Sequence, residues 1–99
     1  MTTRYKATRT DGTDFRTGNI NYQVGATITH PNPHRDDASG YLSTSTTPTD
    51  CTGMSWPCRL FEVDTVDEWT PSPDALPNKR ACHSRRVVRE LPATDALGP

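Results

Sequence analysis

The sequence predicts an α+β, strand-dominated fold: a small compact mixed or antiparallel sheet with one or two short helices. Three observations carry this. Hydrophobic residues are 31% of the 99-residue chain and aromatics 7%, so the core is small and folding buries only about two-thirds of the surface the unfolded chain exposes. Nine prolines and six glycines cut the chain into short elements joined by turns. The apolar residues arrive in separate bursts, at Tyr5, Ile20 to Val24, Tyr41-Leu42, Leu60 to Val63 and Val87-Val88, as strands do. The expected organisation is one domain over 1–92 with a C-terminal tail, 93–99, that should fray.

Taken in order, residues 3 to 9 alternate like a half-buried strand, with Thr3, Tyr5 and Ala7 on one face and Arg4, Lys6 and Thr8 on the other. Asp11-Gly12 ends it. Ile20, Tyr22 and Val24 alternate again, and Gly25 marks a stop or bulge before Thr27-Ile28-Thr29. His30-Pro31-Asn32-Pro33-His34-Arg35 is an exposed loop, because its prolines exclude both helix and central strand. Tyr41 and Leu42 lead a central strand into the hydroxyls Ser43, Thr44 and Ser45. Thr47-Pro48-Thr49-Asp50 then reads as a helix start, with Thr47 as N-cap and Pro48 in the first position. Gly53 and Pro57 hold that helix to one or two turns.

Arg59 to Asp64 is the clearest strand, with Phe61 and Val63 facing one way and Leu60, Glu62 and Asp64 the other. Thr70 to Pro77 is a proline-rich connection. Lys79 to Leu91 carries a last strand centred on Val87-Val88.

A net charge of −1 and a pI near 6.2 give no global basic field, so neither nucleic acid nor a membrane is an expected partner. No stretch is long and apolar enough to span a bilayer, and Met1 to Tyr5 lacks the apolar core of a signal peptide. The expected location is the cytoplasm. Three cysteines, an odd number, fit reduced, buried thiols better than a disulfide framework, with Cys51–Cys58 the one bridge to weigh under oxidation.

The order of Tyr5-Lys6-Ala7, Tyr22-Gln23-Val24-Gly25, Gly40-Tyr41-Leu42, Thr47-Pro48-Thr49-Asp50, Phe61-Glu62-Val63 and the closing basic strand to Leu91 resembles a family of small, functionally uncharacterised domains of phages and bacteria. That family runs Y-K-G-F, Y-x-V-G, G-F-H, N-P-x-D and E-V-E. Ala7 stands where it has glycine, and Ser43 where it usually has histidine. The resemblance implies provenance and fold, and the family carries no activity with it.

A more distant resemblance is to the serine motif of ADP-ribosyltransferases. It implies NAD as ligand, Arg4 on the phosphates, Ser43-Thr44-Ser45 bracing the ribose, and Glu62 or Glu90 stabilising the oxocarbenium charge. The plainer reading of Ser43 to Thr47 is a satisfied turn and helix cap.

Other groups read more simply. His30, His34, Cys51 and Cys58 have metal-ligand chemistry, but their order and proline flanks do not form a standard site, and no metal is expected. Lys79, Arg80, Arg85, Arg86 and Arg89 face Asp64, Asp67, Glu68 and Asp74 in composition, as intramolecular charge balance requires. Arg85 and Arg86 are the members of that stripe with a binding alternative. Trp56 and Trp69, both near loop prolines, are candidate anchors for a partner together with Tyr41.

The function expected from these readings is that of a non-enzymatic, phage-type accessory protein. It would work by protein contact, on a host factor or as a minor virion component, in the host cytoplasm or on the virion, with assembly into oligomers compatible. The alternative is a miniature ADP-ribosyltransferase-like NAD or nucleotide-binding domain, active or degenerate.

Overall fold

A computed structural model of the chain describes residues 2–15, 18, 20–30, 33–35, 41–47 and 56–93. The elements these residues form are six strands: β1 Thr2–Thr8, β2 Thr27–Thr29, β3 Leu42–Ser45, β4 Arg59–Thr65, β5 Lys79–Cys82 and β6 Ser84–Leu91. They build one antiparallel sheet in the order β2-β6-β4-β1-β3-β5. The helices expected beside the sheet do not occur among the described residues. The expected helix start at Thr47 to Asp50 lies, beyond Thr47, outside them, as does the tail from 94 onward. No helix among the described residues is long and apolar enough to cross a membrane.

The sheet rolls back on itself, for reasons visible in the register. β5 and β6 are separated only by His83, so they form one bent arm. Within it Ala81 pairs with Ser43 of β3 on one side and with Trp69, just past the end of β4, on the other. β1 likewise lies between β4 and β3, joined to β3 at Tyr5–Ser45. The hydrogen-bonded circuit therefore runs from β1 to β4, to the β5–β6 arm, to β3 and back to β1. β2 extends it on β6.

Pairing fixes which side chains share a face. Arg4 opposite Val63 and Lys6 opposite Phe61 put Arg4, Lys6, Phe61, Val63 and Thr65 together, while Tyr5 opposite Glu62 and Ala7 opposite Leu60 share the other face. This is the alternation expected from sequence. β4 is buried on both sides, with Leu60, Phe61 and Val63 all fully covered. Tyr22, Phe61, Val63 and Val87, with Ile20 and Ile28 against them, form one cluster. Ala7, Cys58 and Leu60, with Tyr5, Phe15 and Leu91, form the other.

A bulge makes β6 serve both clusters. Glu62 pairs with Arg89 but Val63 pairs with Val87, leaving Val88 without an opposite. Residues two apart normally share a face, and the extra residue breaks that rule. Val87 is therefore buried with Phe61 and Val63 while Arg89 turns outward to Glu62.

The segment Ile20 to Val24 is not the strand that its alternation predicts. It is held by a tight local hairpin instead: Asn21 bridges Thr13, the Tyr22 amide donates to the Gly12 carbonyl at 2.8 Å, and the Ile20 amide donates to Asp14 Oδ1 at 3.0 Å. Those bonds consume the groups a ladder would use, and they deliver Tyr22 into the core.

Candidate functional site

At the end of the rolled sheet where β1 begins and β4 stops, the chain turns through Val66, Asp67 and Glu68 before Trp69 pairs with Ala81. Trp69 exchanges both backbone hydrogen bonds with Ala81, at 3.0 and 2.8 Å, which locks its ring on the same face as Tyr41 and His83. Tyr41 meets the indole edge-on with centroids 5.4 Å apart, and His83 does the same at 5.0 Å. The Arg35 guanidinium lies 4.0 Å from the centre of the Trp69 ring, and Lys79 Nζ 5.6 Å from that of Tyr41. His83 Nε2 is 3.0 Å from the His34 carbonyl oxygen. A carbonyl only accepts, so Nε2 carries the hydrogen, and this bond ties down the loop that bears Arg35.

Beside this cluster opens a cleft of about 570 Å³ lined by Arg35, Val66, Asp67, Glu68, His83 and Ser84. Val66 is 53% exposed there. Glu68 is committed inward: its carboxylate pairs with both Arg4 Nε and Nη2 and accepts from Thr65 Oγ1 at 2.8 Å. Burial, with the Glu68 charge adding to it, pushes the Cys82 thiol up to about 12. Such a thiol is no nucleophile at neutral pH.

The serine run is held from within. Ser43 is half-buried, Thr44 and Ser45 are buried, and Ser45 Oγ accepts from the Thr47 amide at 3.3 Å. The Ser43 carbonyl accepts from Arg85 Nη1 at 2.7 Å. Arg85 is itself 3% exposed, with its guanidinium carbon 4.8 Å from the centre of the Tyr22 ring. Burial pulls this guanidinium down to about 9 while the Asp14 charge works the other way, so it stays cationic at neutral pH. Among the described residues, Tyr22 Oη, Thr44 Oγ1 and Arg85 Nε are buried without a hydrogen-bond partner. No family model, curated protein or solved structure matches the chain.

Of the residues singled out from sequence, Tyr41 and Trp69 come together in the aromatic cluster beside the cleft. Arg86 is exposed on β6, and Trp56 stands 54% exposed among its own neighbours. Arg85 is not on the surface at all, because its side chain fills the interior of the roll. The register separates Arg4 from Ser43, Ser45 and Glu62: Tyr5 opposite Ser45 and Glu62 places those three on one face, and Arg4 projects from the other. Glu62 pairs with Arg89, and Glu90 with Arg59. Cys51, of the histidine–cysteine set, lies outside the described residues, while Cys58 and Cys82 are buried free thiols. Among the described residues no group of three or more His, Cys, Asp or Glu side chains is placed to hold a metal. Arg35, Val66, Glu68 and His83 are the site residues that sequence reasoning missed. The available signal was the pair Glu68-Trp69 one short turn after the strongest strand.

Proposed function

We propose that this chain is a small non-enzymatic binding domain that works by protein contact, with the Trp69 cleft as its contact site. The phage-type accessory role that the resemblance implies, on a host factor or within a virion, is the setting we assign to it. One observation carries the reading. A guanidinium is stacked on a fixed indole at the rim of a cleft beside an exposed valine, the mixture of aromatic, arginine and apolar surface that dominates protein interfaces. Of the groups that an NAD-binding reading needs, Arg4 is engaged by Glu68, the Ser45 hydroxyl by the Thr47 amide, Glu62 by Arg89 and Glu90 by Arg59.

Retention of a partner by the immobilised domain tests it. Val66→Glu should abolish retention, whereas Val24→Glu, at a position equally open to solvent with 60% exposure, should leave it intact. Millimolar NAD should shift none of the amides from Tyr41 to Ser45. Retention unaffected by Val66→Glu, or saturable NAD shifts in that strand, would overturn the reading in favour of the nucleotide-binding alternative or of another face.

A further inference from the structure

We propose that the Trp69 cleft seats an acidic side chain of its partner, with the Arg35 guanidinium as the hydrogen-bonding fork and Val66 as the apolar contact beside it. The inference rests on the contact reading of the same cleft and adds the chemistry of what enters.

Arg35 is exposed, and its charge is held against the Trp69 face at 4.0 Å. Stacking uses the faces of a guanidinium and leaves its in-plane N–H donors at the edge. Among the described residues no carboxylate or carbonyl accepts from them. The two acids lining the same cleft do not supply one: Glu68 is bonded to Arg4 and Thr65, and Asp67 sits in the turn at φ 53° without closing on Arg35. The arginine is also placed in advance. His83 fixes the preceding residue through the His34 carbonyl, and the indole fixes the side chain, so little ordering remains for a partner to supply.

A pre-placed planar fork of donors is matched by a carboxylate, which it can grip with two parallel bonds. Phosphate shares that chemistry. Asp67 at the cleft penalises a dianion more than a monoanion, so the cleft suits the carboxylate of an aspartate or glutamate. Exposed Val66 gives the residue flanking that acid an aliphatic surface to cover.

The test titrates the full chain with acetyl-Ala-Leu-Glu-Leu-Ala-amide and with its Gln and Lys counterparts, following the Trp69 indole N–H resonance. The Glu peptide should bind about tenfold more tightly than the Gln peptide, and the Lys peptide more weakly still. Arg35→Gln should erase the preference for Glu. Asp67→Asn should tighten the Glu peptide a few-fold by removing a like charge, and asparagine tolerates the positive φ of that position. Equal binding of the Glu and Gln peptides, a preference that survives Arg35→Gln, weakening by Asp67→Asn, or no movement of the Trp69 resonance would each overturn the proposal. Displacement of the Glu peptide by equimolar inorganic phosphate would overturn the carboxylate assignment in favour of a phosphate site. A partner whose affinity falls with Val66→Glu but not with Arg35→Gln would sink this inference and leave the contact reading standing.

Discussion

Arg85 and Tyr22 show how differently two buried polar groups can be treated in one interior. The Arg85 guanidinium has an acceptor in the Ser43 carbonyl, an aromatic face in Tyr22 and the nearby charge of Asp14. The Tyr22 hydroxyl has no hydrogen-bond partner among the described residues. Burying an unpaired hydroxyl costs free energy that a hydrogen never would. Tyr22→Phe should therefore raise stability by up to about 1 kcal/mol, seen as a higher urea midpoint at unchanged slope. Arg85→Met should do the opposite and cost roughly 2–4 kcal/mol, because it leaves the buried Ser43 carbonyl without its charged donor and removes the cation that the nearby Asp14 charge favours. Combined with Asp14→Asn its cost should fall well short of the sum of the two single changes. Equal and additive losses would mean that Asp14 and Arg85 do not act as a pair.

At the level of elements, β1 and β4 could be read from sequence because alternation is a local signal, and their two-residue period survives in the observed faces. β6 is marked only by its Val87-Val88 centre and departs from that period at its bulge. The stretch Ile20 to Val24 has the same period, yet the local bonds to Gly12 and Asp14 outcompete a ladder, and no periodicity announces them. Gly12 makes that hairpin possible. Its φ is +88°, and a Cβ there would stand 3.3 Å from the Tyr22 carbonyl oxygen and 3.1 Å from Arg59 Nη1. Gly12→Ala should cost about 1–2 kcal/mol, and the loss should appear in thermal unfolding together with faster amide exchange at Tyr22. The candidate site was only partly legible for a different reason. Tyr41 and Trp69 advertise themselves as aromatics near turns, but Arg35, Glu68 and His83 meet them only because the β5–β6 arm bends at His83 and Ala81 pairs on both edges. That closure is a long-range event that no short stretch of sequence encodes.

For the molecule as a whole, a near-zero net charge goes with ion pairs that tie the sheet together. Arg4 pairs with Glu68, Arg59 with Glu90 and Arg89 with Glu62, each joining strands or turns distant in sequence. Arg59 holds the Glu90 carboxyl below its ordinary range. A depressed carboxylate adds stability that is present above the unfolded value near 4.3 and lost as pH falls through the lower folded value. Both partners are more than a third exposed, so solvent screening keeps the contribution to roughly half a kcal/mol at most. Glu90→Gln should correspondingly flatten the acid limb of the stability curve below about pH 4.5 and leave its neutral plateau nearly unchanged. In the proposed reading, the arginine over Trp69 and the exposed Val66 beside it form the surface that meets a partner. The most direct test is an amide-shift map of the domain titrated with the partner it retains. Shifts concentrated on Arg35, Val66 to Trp69, His83 and Ser84 are the predicted result, and shifts confined to Thr27 to Thr29, Val24 or Trp56 with the cleft silent would contradict the account.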